Sequence, residues 1–419
     1  MLIEFRIQNY RCFKDEVVLS LLSTKDSSLK SNTFSRDDIG LLKSVALYGP
    51  NGSGKSTVIL ALEIVKDLVT TSSSHKPGSA LPAAPYLFDE SSKEKPCRFE
   101  VSFIAGKVTY KYSIEIVKER VIFESLVEMP EKKGRLLFSR EYDRKTEQYN
   151  WSWGRSLKGE KDRLANMTSQ SALFISVAAQ FNQEQFNPVY EWFSTNLRII
   201  TTKDLPLLVT AQALASEGIE ANDKKRVVDF LKDADFEIDD IAVSRQDVPE
   251  VEKLFPPGIP DKAKSQLRDR LGGLKVELGH HTPSGKLIRL PLEAESDGTQ
   301  RLFELAPPWL LSLSAGYVVL VDELDRSLHP LLTRKLVEAF HNPQAKAQLV
   351  FSTHDTTLLD PGLFRRDQVY LTDRTPEGSV LYSLSDYKSV RKTESLQKGY
   401  LAGRYGAIPI LRSFGLHEE

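Results

Sequence analysis

The sequence predicts an α/β fold in which a parallel core sheet carries an antiparallel β-lobe and a small helical lobe. A short apolar run at 44–48 is followed by a glycine-rich loop and then by an apolar helical pattern. Two later apolar runs, at 317–321 and 347–351, end in polar residues, which is typical of buried parallel strands that open onto a site. From residue 99 apolar and polar residues alternate, as expected for antiparallel strands with one solvated face.

The glycine-rich loop predicts a phosphate site. Residues 49–56 are GPNGSGKS and fit the pattern G-x-x-x-x-G-K-[ST] at every fixed position. A strand before the loop and a helix at 57–65 after it aim backbone N–H groups and the positive helix end at an anion. Lys55 is expected to reach the β- and γ-phosphates of a nucleotide, and the Ser56 hydroxyl to bind Mg²⁺. The other residues predicted to surround the phosphates are Asn51, Gly52, Ser53, Gly54 and Thr57.

Polar residues follow the two later strands. The first of these strands ends in Asp322 and Glu323, and the second is followed by His354. Because the carboxyl ends of parallel strands meet at one edge of a sheet, these side chains are expected near the phosphate loop. Asp322 is predicted to hold Mg²⁺, Glu323 to orient and polarise an attacking water, and His354 to contact the γ-phosphate. The alternatives are a strand that ends in solvated acids and an ordinary surface or core histidine.

Composition excludes several classes of protein. The 419 residues contain 56 Lys+Arg and 57 Asp+Glu, so the net charge of -1 gives no general attraction to nucleic acid. The two cysteines, Cys12 and Cys97, cannot form a disulfide framework, and no Cys/His spacing of a zinc site is present. The N-terminal segment lacks the apolar region of a signal peptide, and no run approaches about 18 apolar residues. These features predict a cytoplasmic protein with no membrane partner.

The order of the motifs resembles ABC-type ATPase heads, particularly those of the SMC/Rad50/RecF-like branch. The signature of that branch is S-x-G-x-x-R, and Ser296, Gly298 and Arg301 match it ahead of the acidic pair. The resemblance implies that Ser296 and Gly298 of one chain complete the nucleotide site of a second chain. It also implies that Asp325 belongs to the D-loop beside the nucleotide and that Arg11 approaches the nucleotide.

A glutamine near the metal is a further implication of the same resemblance. Gln180 is the candidate for this Q-loop residue because it ends an apolar run before a helical region. Gln170 competes for the role, and the sequence leaves the choice open.

A closer resemblance is to the Rlo/AbiL-type AAA-family ATPases of bacterial restriction and abortive-infection loci. It depends on SVALYGPNGSGKST, ESDGTQRLFELAP, DELDRSLHPLLTRKL, FSTHDTTLLD and GYLAGRYGAIP. The resemblance implies an ATPase that uses ATP and Mg²⁺ and that forms a homodimer or higher homo-oligomer with ATP between the heads. It further implies a cytoplasmic bacterial sensor subunit of anti-phage defence, controlling a toxin or nuclease from a neighbouring gene. Two alternatives stay open: a RecF-like DNA-repair ATPase that acts on DNA, and an ATP-binding scaffold with negligible turnover.

The chain is predicted to have three parts. Residues 1–200 carry the phosphate loop and the β-lobe, 201–290 form a helical insertion, and 291–419 carry the signature, acidic pair and histidine. No stretch sustains heptads, so no long coiled coil is expected. The helix candidates outside the core are 188–197, 208–216 and 224–233, and the segments 248–260 and 280–285 are predicted loops.

Two regions keep two interpretations each. The tyrosines and lysines of the β-lobe fit a solvated strand face, with a nucleic-acid face as the alternative. The glycine-rich segment 398–409 is either an ordered tail or a loop that contacts a partner or the nucleotide.

Overall fold

The computed structural model describes residues 1–36, 38–76, 78–129, 134–201, 210–211, 214, 221–234, 236–245, 274–387 and 395–409. Its strands are β1 (Leu2–Gln8), β2 (Val17–Ser20), β3 (Thr33–Arg36), β4 (Ile39–Leu42), β5 (Ser44–Tyr48), β6 (Cys97–Ala105), β7 (Val108–Ile116), β8 (Val121–Glu128), β9 (Arg135–Asp143), β10 (Gln148–Trp153), β11 (Leu197–Ile200), β12 (Asp240–Arg245), β13 (Leu274–His281), β14 (Leu287–Pro291), β15 (Val318–Val321), β16 (Gln348–Ser352), β17 (Val369–Thr375) and β18 (Gly378–Ser383). Its helices are α1 (Lys55–Thr71), α2 (Glu90–Lys93), α3 (Lys161–Met167), α4 (Phe174–Gln180), α5 (Asn187–Glu191), α6 (Ala221–Asp233), α7 (Asp297–Ala315), α8 (Pro330–His341) and α9 (Leu396–Leu401).

The core sheet has the strand order β11-β15-β16-β5-β17-β18 in the described part of the chain. All of its neighbouring strands are parallel except the edge pair β17–β18. Every residue of β5, β15 and β16 is buried, because a parallel sheet is covered on both faces. The predicted α/β fold is confirmed. In the sheet, β5, which leads into the phosphate loop, lies beside β16, and β15 lies on the other side of β16.

The second large sheet is antiparallel and has the order β10-β9-β8-β7-β6-β1-β2 in the described residues. The β6–β7 hairpin turns at Gly106 and Lys107, as the alternating pattern predicts. Tyr110 and Tyr112 are buried in the core of this sheet, while Lys111 on the other face pairs with Glu100 at 2.8 Å. The two tyrosines are therefore part of the core, and this lysine is part of an ion pair, which favours the solvated strand face over a nucleic-acid face.

A buried ion pair joins this antiparallel sheet to α4. Glu124 of β8 and Arg140 of β9 are both completely buried, and their side chains lie 2.8 Å apart. Glu124 also accepts hydrogen bonds from the Tyr112 hydroxyl at 2.9 Å and from the backbone N–H groups of Phe174 and Ile175. The carboxylate thereby satisfies donors at the start of α4 and fixes where this helix begins.

The chain divides into two compact units. One unit comprises Met1–Thr201, Ala315–Leu324 and Val337–Glu419, and the other comprises Thr202–Ser314 and Asp325–Leu336. The first unit contains both large sheets. The second contains α6, most of α7 and a three-stranded antiparallel sheet of order β12-β13-β14, within the residues that the structure describes.

This small sheet differs from the expectation of a helical insertion over 201–290. The alternation of Val276 and Leu278 with charged neighbours is a strand pattern, and both apolar side chains are buried. The helix predicted over 224–233 is confirmed inside α6. Of the segment 208–216 only residues 210–211 and 214 are described, and 248–260 lies outside the described residues.

Other local predictions were wrong in their bounds. The helix predicted over 188–197 is α5 followed by a π-helical turn, Trp192–Asn196, and Leu197 already begins β11. His280 and His281 belong to β13 and not to a loop, because they pair with Ile288 and Leu287 of β14. The segment 398–409 starts within a helix, α9, despite its glycines.

Candidate nucleotide-binding site

The phosphate loop connects β5 to α1 in the first unit. Its glycines Gly49, Gly52 and Gly54 have φ of 146°, 71° and 120°, in the region that disfavours L side chains. The loop ends at Lys55, which is both buried and the first residue of a 17-residue helix. Backbone N–H groups at the start of this helix point out of its N-terminus, so the segment offers an anion site.

The side chain of Lys55 is hydrogen-bonded to the phosphate loop itself. Its Nζ donates hydrogen bonds to the carbonyl oxygens of Gly49 at 2.9 Å and Pro50 at 3.2 Å. The ammonium group therefore already lies inside the loop. An anion that enters the loop would compete with these two carbonyls for it.

A cluster of three oxygen-bearing side chains lies beside the loop, where the strands end. The Ser56 hydroxyl donates to Asp322 Oδ1 at 2.9 Å, and the Ser352 hydroxyl donates to the same oxygen at 2.6 Å. The three residues come from the start of α1, the end of β15 and the end of β16. The structure thus brings together Ser56 and Asp322, two of the three residues predicted to bind Mg²⁺, although they are 266 positions apart in the chain.

The donor set of this cluster fits Mg²⁺. Hydroxyl and carboxylate oxygens are the hard ligands that Mg²⁺ prefers, and the ion commonly uses one or two protein ligands with phosphate and water for the rest. No group of three His, Cys, Asp or Glu side chains that could hold a metal occurs within the described residues. Ser56 and Asp322 would therefore hold the ion together with a nucleotide.

Glu323 follows Asp322 at the end of β15. Its φ of 52° is in the left-handed region that residues other than glycine rarely adopt, and its N–H donates to Ser352 Oγ at 2.8 Å. His354 is exposed in the loop after β16, the neighbouring strand. Both residues thus lie at the same edge of the sheet as the phosphate loop. Their catalytic roles stay predictions.

The N-terminal turn lies against the start of α1. The Cys12 thiol is 3.6 Å from the Thr57 hydroxyl, and a Cβ on Gly54 would be 2.7 Å from the Phe13 ring. Arg11 precedes this contact, is exposed, and has its guanidinium carbon 5.5 Å from the centre of the Tyr10 ring. The turn is therefore beside the loop, and a contact between Arg11 and nucleotide stays a prediction.

The signature residues belong to the second unit. Ser296 Oγ accepts a hydrogen bond from the Thr299 N–H at 3.1 Å and so caps α7. A Cβ on Gly298 would be 2.9 Å from the carbonyl oxygen of Ser327, so a larger residue is disfavoured there. Arg301 is buried and pairs with Glu304 at 3.1 Å. These contacts explain the residue types within one chain, while the proposed contacts of Ser296, Gly298 and Asp325 with nucleotide are untested.

Neither glutamine is assigned by its position. Gln180 is the last residue of α4, a helix that packs against α1. The carbonyl of Gln170 accepts a hydrogen bond from the N–H of Val121 at the start of β8. The metal-binding role of Gln180, and its competitor Gln170, stay open.

The protein family described as "AAA domain, putative AbiEii toxin, Type IV TA system" matches residues 44–360, from β5 through the loop after His354. The chain belongs to this family. The description names AbiEii, and the finer Rlo/AbiL branch is not part of it. A search of curated proteins found no match.

Several solved structures are similar to this AAA-domain chain at 12% sequence identity. They include an SMC head bound to the C-terminal winged-helix domain of ScpA, which covers 91% of this chain and 97% of its own with a TM-score of 0.42. An SMC head domain from Thermotoga maritima covers 91% and 98% with a TM-score of 0.37. An SMC head domain with an extended coiled coil, bound to the C-terminal domain of ScpA derived from Pyrococcus furiosus, covers 96% and 98% with a TM-score of 0.36.

These TM-scores are below 0.5, so the similarity carries no argument about this protein. Its fold is described from its own strand order. A separate finding concerns membranes: no helix in the described part of the chain is both long enough and apolar enough to cross one.

Sequence reasoning missed three residues of the AAA-domain site. Ser352 joins Asp322 to the backbone of Glu323, as described above. Thr372 and Arg374, at the end of β17, contact the phosphate loop: the hydroxyls of Thr372 and Ser53 are 2.5 Å apart, and Arg374 donates to loop carbonyls. The available signal was a further apolar strand that ends in polar residues, which resembles the two strands already used for Asp322 and His354.

The C-terminal segment lies next to the same loop. Its Tyr400 ring packs edge-on against Tyr48, the last residue of β5, with ring centres 5.8 Å apart. The Tyr400 hydroxyl donates to the carbonyl of Ala407, and the Ala407 N–H donates to Asp373 at 2.8 Å. Burial raises the pKa of Tyr400 to about 12. The segment is therefore ordered and lies beside the strand that precedes the phosphate loop, and a contact with partner or nucleotide stays a prediction.

Proposed function

We propose that this chain is a Mg²⁺-dependent ATPase whose nucleotide cycle regulates a partner protein in bacterial defence. The observation that carries the enzymatic part is the hydrogen bond of Ser56 to Asp322, completed by Ser352, beside a glycine-rich loop that already holds Lys55. A phosphate loop, a metal-binding hydroxyl and a metal-binding carboxylate are the parts that phosphoryl transfer to water needs.

Each residue has one task in this proposal. Lys55 leaves the carbonyls of the loop and binds the β- and γ-phosphates, which offsets negative charge as the bond to the leaving group breaks. Glu323 orients and polarises the attacking water, and His354 contacts the γ-phosphate from the neighbouring strand end. Mg²⁺, held by Ser56 and Asp322, would neutralise charge on the phosphates.

The glutamate provides the sharpest test of turnover. Glu323→Gln is expected to keep ATP binding, because the loop and metal cluster are intact, while hydrolysis falls by about two orders of magnitude or more. Single-turnover phosphate release and equilibrium binding of ATP measure the two effects separately. Glu377→Gln, an exposed glutamate in the β17–β18 turn, is the matched control. Equal rates for Glu323→Gln and wild type would remove Glu323 from the mechanism, and slow turnover by wild type itself would favour the scaffold alternative.

A homodimer with ATP between two heads is part of the proposal. Ser296 and Gly298 of one chain would meet the γ-phosphate bound to the other chain, and Asp325 would lie beside it. The support is the signature pattern S-x-G-x-x-R, at the start of α7. Glu323→Gln is then expected to accumulate the dimer with ATP, seen as a change in mass by light scattering.

The cellular role is proposed from the family. Its description names a toxin–antitoxin system, and the motifs resemble ATPases of restriction and abortive-infection loci. The chain uses its recognised chemistry on ATP, so we propose that its conformational change passes to a toxin or nuclease encoded by a neighbouring gene.

Co-purification with the neighbouring gene product tests this role, together with phage plating. We expect a stable complex, and we expect protection to be lost in Lys55→Ala and in Glu323→Gln while the Glu377→Gln control protects normally. Full protection with the neighbour deleted would overturn the partner proposal. Tight binding of ATP-loaded protein to DNA ends would instead favour the repair alternative.

A further inference from the structure

The carbonyl groups of the phosphate loop accept hydrogen bonds from two positively charged side chains, Lys55 and Arg374. Lys55 takes the carbonyls of Gly49 and Pro50 from inside the loop. Arg374, which is exposed, takes the next two: its Nε donates to the carbonyl of Gly52 at 3.1 Å and its Nη2 to that of Asn51. Four consecutive carbonyls thus accept hydrogen bonds from positively charged donors. The first two bond to Lys55, which belongs to the loop motif itself, and the next two bond to Arg374, which comes from β17.

The hydrogen bonds of Arg374 orient the loop's N–H groups. In a trans peptide the C=O and N–H point in opposite directions. No cis peptide bond occurs in the described residues, so the carbonyl of Asn51 shares its peptide plane with the N–H of Gly52, and the carbonyl of Gly52 shares its plane with the N–H of Ser53. A guanidinium bound to both carbonyls therefore turns both N–H groups away from itself, and the Ser53 N–H donates to the carbonyl of Pro50 at 3.2 Å within the loop. An anion that enters the loop would compete with this carbonyl for the Ser53 N–H, as it would for Lys55.

The sequence of the loop accommodates this contact. The φ of Gly52, 71°, favours glycine, and the absence of a Cβ also leaves room for the Arg374 guanidinium in its present position. A second contact from the same strand supports the arrangement, because Thr372 Oγ1 lies 2.5 Å from Ser53 Oγ and donates to the carbonyl of Tyr48 at 3.2 Å. Thus the end of β17 contacts the last residue of β5 and, within the loop, Asn51, Gly52 and Ser53.

We propose that Arg374 is a positioning residue that keeps the phosphate loop in its anion-binding shape when Lys55 releases the loop for the nucleotide. This inference rests on the proposed function. When ATP binds, Lys55 exchanges two carbonyls for phosphate oxygens, and the carbonyls at the tip stay bound to Arg374. Arg374 touches neither the phosphates nor the water, so it acts on nucleotide affinity and leaves the chemical step nearly unchanged.

Arg374→Ala tests the inference through the split between KM and kcat. We expect the Kd for a fluorescent, non-hydrolysable ATP analogue and the KM for Mg-ATP to rise about tenfold, as for the loss of one net hydrogen bond to a charged group. The kcat at saturating ATP should change less than about threefold. Arg374→Lys keeps the charge and is expected to recover part of the affinity. Arg163→Ala, at an exposed arginine paired with Glu160, is the matched control and should behave as wild type.

Different outcomes test the role of Arg374 and the proposed ATPase function. Tenfold weaker binding in Arg374→Ala, with partial recovery in Arg374→Lys, supports the inference. A lower melting temperature and lower kcat with unchanged KM would mean a purely structural role and overturn it, as would wild-type Kd in a folded Arg374→Ala protein. If Arg374→Ala does not fold, Arg374→Gln is measured in its place, and wild-type affinity in that variant overturns the inference. A wild-type protein that binds no ATP would overturn the proposed function itself.

Discussion

Asp322 in the parallel core sheet and Glu124 in the antiparallel sheet are both buried carboxylates, but their partners differ. Asp322 Oδ1, at the open end of β15, accepts hydrogen bonds from the hydroxyls of Ser56 and Ser352. Glu124, inside β8, accepts from the guanidinium of Arg140, the Tyr112 hydroxyl and two backbone N–H groups at the start of α4.

The difference separates a binding group from a structural one. A metal ion can displace a neutral hydroxyl donor from a carboxylate, or share the oxygen with it, at small cost. A buried carboxylate bonded to a buried guanidinium has no such freedom, since removal of either partner leaves an uncompensated charge. Burial alone therefore does not identify a functional acid in this protein, whereas the chemistry of the donors does.

The largest expected effect is on stability, at Glu124. Glu124→Gln leaves Arg140 charged and buried, and we expect the free energy of unfolding to fall by about 3–5 kcal/mol. Chemical denaturation measures this. The matched control is Glu160→Gln, where the exposed carboxylate pairs with the exposed Arg163 and the loss should be about 1 kcal/mol or less. The folded fraction of Glu124→Gln should bind ATP normally. A selective loss of ATP binding would contradict the assignment of Glu124 as a structural group.

A smaller effect is expected at the amino end of the core sheet, where His341 is buried. Its Nε2 lies 2.7 Å from the Ser44 hydroxyl and near the Gln368 amide. Burial, with a smaller contribution from Lys43 and an opposing one from Glu338, lowers the pKa of His341 to about 4. The unfolded chain takes up this proton near pH 6.5. The folded protein resists the proton, so stability is lost as pH falls from about 6.5 towards 4.

Denaturation at a series of pH values measures this loss. We expect a loss of about 1.5 kcal/mol between pH 6.5 and 5, because the slope approaches about 1.4 kcal/mol per pH unit only below the unfolded pKa. His341→Gln should flatten that part of the profile, while His75→Gln, at a half-buried histidine near α4, should leave it as in wild type. An unchanged slope in His341→Gln would show that carboxylates, not this histidine, control acid stability.

The smallest effect is expected at Ser352. Ser352→Ala removes one hydroxyl from Asp322 and the acceptor of the Glu323 N–H. We expect turnover to fall about tenfold, with a loss of about 1 kcal/mol in stability. Steady-state kinetics over a range of Mg²⁺ concentrations measures the first, with the exposed Ser74→Ala as control. A loss of stability comparable with that of Glu124→Gln would place Ser352 among the structural groups.

Local patterns in the sequence predicted the parts of the site that local patterns encode. The loop from Gly49 to Ser56 is one continuous motif, and the strands that carry Asp322 and His354 are short apolar runs with polar ends. The structure confirms those strands and brings Ser56 to Asp322. Arg374 also lies at the polar end of an apolar strand, β17, but its partner has no local pattern, because the contact with Gly52 joins residues 322 positions apart and involves only backbone oxygens of the loop. A backbone acceptor carries no side-chain signal in the sequence.

The insertion shows a different limit. Apolar and charged residues alternate in β13, but only over a few positions, and the neighbouring Pro and Gly residues indicate loops equally well. Pairing with β12 and β14 supplies the hydrogen bonds that decide between strand and loop. β12 ends at Arg245 and β13 begins at Leu274, so no hairpin turn in the sequence links these two strands.

The order of strands in the core sheet has a consequence for synthesis on the ribosome. β5, which carries the phosphate loop, lies between β16 and β17, both made from the last part of the chain. The antiparallel hairpins from β6 to β10 are complete long before those strands emerge, so they can fold during translation. The candidate nucleotide site instead forms only after β16 and β17 have emerged. A ribosome that stalls before residue 348 would thus yield a chain with a finished β-lobe, an unpaired apolar β5 and an incomplete phosphate-loop site.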